Sequence, residues 1–296
     1  MKNIPSKKLI PWICGLLLAA VIAGAGCLLI NCGGPEKEGH HVVIFGDSII
    51  AYKQDETSVA NMIIARTGMD VFDLSFGGTQ MADSTEVDTL GNKRAYMSMY
   101  SIAQALYTDD FSLQLNYRTY DPATEYFDER IKQLRTLDLA QTDIVIIEHC
   151  INDYHCAIPI GDVDSDSEYT YCGALRMSVD HIRRINPDIR IILVSPTEKW
   201  MPDGVNASDY SYGGGILDEY VEAQRMMAEE LGVEYISMYE LYEREVSSFG
   251  DEVTEEAVTG FKYTVDGTHP NYYGRYVISD LLADYLGGAI TCDDSE

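Results

Sequence analysis

The chain has 296 residues, with 48 Asp or Glu against 21 Lys or Arg, a formal net charge of −27 at pH 7. A field of that sign repels nucleic acid and anionic membrane surfaces, so no nucleic-acid partner is expected. The 46% hydrophobic share and the length beyond the N-terminal segment suffice for one α/β domain with its own core.

The first residues differ from the rest. Lys2, Lys7 and Lys8 precede residues 9–30, which carry no charge. A bilayer-spanning helix needs roughly 20 apolar residues, and preceding lysines favour a cytoplasmic N-terminus. Residues 1–31 therefore read as an N-terminal apolar helix that anchors the chain in the cell membrane. A cleaved secretory signal, or a lipoprotein signal using Cys27 or Cys32, is the alternative. All three place the following domain outside the cytosol. Residues 32–40, CGGPEKEGH, read as a short tether, and residues 41–290 as the folded domain.

Along that domain, apolar runs of strand length alternate with helical patterns, which predicts βα units and a parallel sheet. Strands are predicted at residues 42–45, 71–74, 144–147, 189–194 and 233–236, nearly all apolar, as suits strands covered on both faces. Ser58 caps a predicted helix that runs to Thr67 and stops at Gly68. Leu175, Val179 and Ile182 repeat at helical spacing until Asn186-Pro187. Leu217, Tyr220, Met227 and Leu231 do the same before Gly232, and Val277, Leu281 and Tyr285 mark a last helix after Pro270. Residues 85–140 exceed a minimal alternation, with helix predicted near 95–106 and 126–137. Residues 161–168 and 208–215 read as surface loops. Cys150, Cys156, Cys172 and Cys292 belong to the domain; a pairing among the first three would staple one loop, and reduced buried thiols are the alternative.

Four segments carry residues suited to one reaction. The first strand ends in Phe45-Gly46-Asp47-Ser48, where a serine can project above the sheet edge and following N–H groups can hold an oxyanion. A serine hydroxyl needs a base, and Asp266-Gly267-Thr268-His269 places a carboxylate three residues before a histidine on one loop. Gly77-Gly78 follows the second strand, where a backbone N–H can approach a substrate oxygen. Asn152 follows the third, where its amide can donate to the same oxygen. Each segment alone reads as an ordinary turn; together they deliver nucleophile, donors and base to one rim. The G-x-S-x-G elbow of α/β-hydrolases is absent. His149, Cys150, His155 and Cys156 offer zinc-type ligands, but H-C-x4-H-C is not a familiar zinc spacing, and no metal is expected.

In this order the four blocks resemble the GDSL or SGNH hydrolase superfamily, across residues 41–288. The family's serine, glycine, asparagine and histidine match Ser48, Gly78, Asn152 and His269. The resemblance implies a three-layer α/β/α sandwich with a flavodoxin-like parallel sheet. It also implies ester hydrolysis through an acyl-serine, without metal or organic cofactor. Catalytic Ser48, Asp266 and His269 would work with oxyanion donors on Ser48, Gly78 and Asn152, on short acyl or acetyl esters of a glycan or small molecule. An O-acyltransferase and a non-catalytic envelope-bound binding module are the alternatives. The chain departs from the family at Asp73, where many members have asparagine, and at Cys150, where glycine is frequent.

Overall fold

Five short runs of β-branched and apolar residues form five strands: β1 (Val42–Gly46), β2 (Val71–Asp73), β3 (Ile144–Glu148), β4 (Arg190–Val194) and β5 (Glu234–Ile236). All neighbours are parallel, in the order β2-β1-β3-β4-β5. The computed structural model describes residues 37–88, 90–119, 124–201, 204–241 and 262–288. The predicted anchor at 1–31, tether residues 32–36, and Cys27, Cys32 and Cys292 lie outside the described residues. Among the described residues, no helix is long and apolar enough to cross a membrane.

Every residue of β1 and β3 is buried, which explains why these strands read as continuous apolar runs rather than alternating ones. The helices are α1 (Ser48–Ala51), α2 (Val59–Thr67), α3 (Met99–Thr108), α4 (Ser112–Leu115), α5 (Phe127–Leu134), α6 (Ile151–His155), α7 (Tyr171–Ile185), α8 (Leu217–Leu231) and α9 (Tyr272–Leu286). They form two packing groups, α2 with α9 and α3 with α7 and α8, which complete an α/β/α sandwich. The strand order is that of flavodoxin-like sheets, whose connections reverse direction between β1 and β3. The crevice at the carboxyl ends of those two strands is where such a sheet receives a ligand.

Local chemistry sets most boundaries. The Ser58 hydroxyl accepts from the Asn61 N–H, and Gly68 closes α2 in the left-handed conformation with its N–H on Ile64 O. The helix predicted at 95–106 is divided: residues Arg94–Met97 form a 3-10 turn, Ser98 is extended, and its hydroxyl caps the start of α3. Val233 falls outside β5 because its N–H closes the turn after α8 on Ala228 O. The helix predicted at 126–137 is the shorter α5. Cys150, Cys156 and Cys172 are free thiols, so no disulfide joins them.

Within the long 85–140 segment, α5 serves the sheet edge. Arg130 pairs with Asp73 at 3.1 Å, both side chains almost buried, and donates to Ser75 O at 2.6 Å. Asp73 in turn accepts from the Ser75 N–H at 2.9 Å. The family's frequent asparagine is thus replaced by a carboxylate with its own cation. Arg130→Ala leaves that carboxylate enclosed without its partner and is expected to lower unfolding free energy by about 3 kcal/mol in urea titration. A loss below about 1 kcal/mol would mean the pair is no anchor for this loop.

Candidate active site

The site begins where β1 and β3 end side by side. Gly46 is in register with Glu148, and the Asp47 N–H donates to Glu148 O at 3.1 Å. Asp47 is fully buried, and its carboxyl accepts from the Ile49 N–H at 2.9 Å, capping α1. Ser48 is therefore the first residue of a helical turn. Its hydroxyl lies 2.9 Å from His269 Nε2, and His269 Nδ1 lies 2.6 Å from Asp266 Oδ2. The three residues singled out in the sequence as nucleophile, base and carboxylate are brought into one hydrogen-bonded line.

The loop carrying base and carboxylate is locked by its own backbone. The Val265 N–H donates to His269 O, and Asp266 Oδ1 accepts from the N–H groups of Thr268 and His269. Gly267 has φ +83, and a Cβ there would stand 2.4 Å from Trp200 O. Only glycine fits between Asp266 and His269. Partial burial pushes the Asp266 carboxyl up, but its hydrogen bonds from His269 and Thr268 outweigh that and hold it below the usual range. An ionised Asp266 accepts a hydrogen bond from Nδ1–H, which keeps the proton on that nitrogen and leaves the Nε2 lone pair facing the Ser48 hydroxyl.

On the other side of Ser48, the loop after β2 approaches closely. A Cβ on Gly77 would lie 3.8 Å from Ser48 Cβ, and Gly78 has φ +74. The Gly77 N–H is taken by the Tyr126 hydroxyl at 2.7 Å. Among the described residues, the N–H groups of Ser48 and Gly78 have no protein acceptor. Asn152 sits beside them, with Nδ2 donating to Asp47 Oδ2 at 3.0 Å and to Thr79 O at 2.9 Å. Both of its amide hydrogens are thus engaged in the free site. Cys150, buried next to it, has φ −171, extended backbone that does not require glycine.

Beneath this surface lie further buried groups, among which Glu148 and Lys199 are ones that no motif in the sequence marks. Burial raises the Asp47 pKa to about 7, and it raises Glu148, only 2% exposed, well above its ordinary value. The two enclosed carboxyls also repel each other, which favours the protonated form of both. Asp153, whose pKa burial raises to about 7, accepts from the Met81 and Ala82 N–H groups and ties the β3 turn to the β2 loop. Burial drops His149 to about 3; the Thr79 hydroxyl gives its proton to Phe76 O, so His149 Nε2 donates to Thr79. Lys199 is buried and donates to the Thr268 hydroxyl; burial lowers it to about 8 against the pull of Asp266 and Asp47. Tyr212 packs edge-on against His155 and Tyr154, with about two-fifths of its surface exposed.

A cavity of about 270 Å3 opens beside Gly77 and Gly78. Its walls include Lys93, Arg94, Met97 and Phe127, from the segment that exceeded the βα alternation.

The model of the GDSL-like Lipase/Acylhydrolase family matches residues 44–275. A protein of known structure from Lactobacillus plantarum is similar at 19% identity and TM-score 0.59, over 86% of this chain and 99% of its own. A protein described as a possible lipase from Chitinophaga pinensis is similar at 17% identity and TM-score 0.53, over 84% of this chain and 98% of its own. At these identities the likeness concerns the fold. No curated protein matches the chain.

The buried carboxyls give the site a pH signature. A group protonated in the fold but ionised in the unfolded chain withdraws stability as pH climbs from the ordinary carboxylate range through its folded value, about 7 for Asp47. Glu148→Gln removes one such group and relieves the other. Melting curves at pH 5 and pH 8 are expected to show the variant gaining on the natural protein at pH 8. Equal pH dependence in both would overturn this account of Glu148.

Proposed function

We propose that this chain, which belongs to the GDSL-like Lipase/Acylhydrolase family, hydrolyses esters through an acyl-serine formed on Ser48. The observation that carries this reading is the unbroken line Ser48–His269–Asp266 at 2.9 and 2.6 Å, with unengaged N–H groups at Ser48 and Gly78. As Ser48 Oγ attacks the ester carbonyl, its proton passes to His269 Nε2, and Asp266 stabilises the imidazolium. The carbonyl oxygen becomes an oxyanion held by the Ser48 and Gly78 N–H groups. Asn152 adds a third donor by sharing a hydrogen now held by Thr79 O. Collapse expels the alcohol oxygen, which takes the proton back from His269. Water then repeats the sequence on the acyl-serine and releases the acid.

His269 must reach the leaving oxygen, so the alcohol part lies on its side of Ser48. The acyl part then enters the cavity beside Gly78. At about 270 Å3 that space is smaller than pockets for drug-sized ligands, which supports a short acyl group. The uncharged run at residues 9–30 supports a domain held at the outer side of the cell membrane.

Ser48→Ala is expected to reduce turnover of a nitrophenyl acetate to background, with circular dichroism unchanged; retained turnover would remove Ser48 as nucleophile. In the natural protein, kcat/KM is expected to fall at least about tenfold from butyryl to decanoyl esters. A flat or rising profile would take the acyl group out of this cavity.

A further inference from the structure

Tyr52 follows Ser48 by four residues, at the C-terminal cap of α1, so the two side chains stand on the same side of that turn. The Tyr52 ring is stacked on the imidazole of His269, with centroids 5.0 Å apart and planes inclined by 20°. Tyr52 is nevertheless 39% exposed, so core burial does not account for its position. Its hydroxyl makes no hydrogen bond among the described residues, which leaves the ring face as its means of action.

We infer that Tyr52 is a positioning residue for the base, its ring holding the His269 imidazole against Ser48 and favouring the imidazolium formed during acyl transfer. The inference rests on the acyl-serine reading. An aromatic face attracts a cation, and an imidazole pinned on one side loses rotations that would break its contact with Ser48.

The charges around His269 leave room for this contribution. Asp266 faces Nδ1, and Lys199 lies behind the same loop on Thr268. His155, across the site, is pushed by burial to about 4 and is neutral at pH 7. Lys53 Nζ also lies over the Tyr52 ring, 5.6 Å from its centroid, and draws on the same electron density. The cationic form of His269 thus has one carboxylate partner and one aromatic partner in direct contact.

The test compares Tyr52→Phe and Tyr52→Leu in the full chain, by esterase kinetics against pH and by the NMR signals of the His269 ring. Tyr52→Phe keeps the ring and is expected to retain kcat within about twofold. Tyr52→Leu is expected to lower kcat about fivefold with KM nearly unchanged. The acid limb of its kcat/KM profile should move to lower pH, because the imidazolium loses its aromatic partner. An unchanged acid limb in Tyr52→Leu overturns the inference, as does an equal loss of kcat in both variants. If the natural protein proves inactive on esters while the His269 ring signals still differ between the two variants, the stack stands and the esterase reading falls.

Discussion

The Asp47 carboxyl joins two chain segments that are far apart in sequence. One oxygen caps the turn that begins with Ser48, and the other accepts the Asn152 amide from the turn after β3. Ser48 and Asn152 are thereby fixed to each other rather than separately to the sheet. The arrangement requires β1 and β3 to end in register, which their fully buried pairing enforces. It also requires a carboxyl to sit where water cannot reach it, next to Glu148. The apolar sheet beneath supplies the burial that tolerates this unfavourable pair, as strained or electrostatically costly groups at sites are tolerated elsewhere.

Three carboxyls within one site therefore have different tasks. Asp266 is part-exposed and bound by two backbone N–H groups and an imidazole, which keeps it ionised. Asp47 and Glu148 are enclosed and pushed toward the neutral form. Opposite environments separate the charge that orients the base from the groups that hold the scaffold. Lys199 mediates between the two sides: held by Thr268, it is drawn by both Asp266 and Asp47 in a strongly acidic chain.

The strands were legible because burial on both faces leaves uninterrupted apolar runs, and α2, α7, α8 and α9 because their stripes, caps and stops are local. That Ser48, His269 and Asp266 belong together was legible for a different reason: short motifs carry them at a strand end and on one loop. What remained hidden acts across long separations. Arg130 reaches Asp73 and Ser75, Tyr126 reaches Gly77, and Lys199 reaches Thr268, and no spacing announces such pairs. Glu148 reads as the polar end of a strand until the Asp47 carboxyl is seen beside it. The helices α1 and α6 are too short to show a period, so the relation of Tyr52 to Ser48 was masked. Concern over Cys150 came from residue type; the backbone there is extended and accepts a side chain.

The segment that fitted the βα alternation least is the one that surrounds the cavity beside Gly78. The strand ends supply Ser48 and Asn152, whose positions the sheet dictates. Lys93, Arg94, Met97 and Phe127 answer to no such constraint, because they come from helices and turns laid over the sheet edge. Yet they are not independent of the chemistry. The same overlay contributes Tyr126 to the Gly77 N–H and Arg130 to the loop below it. A change in that segment would alter the cavity and the placement of Gly78 together. The cavity and the loop after β2 are thus mechanically joined at this edge, whereas on the His269 side the loop carries its own bracing.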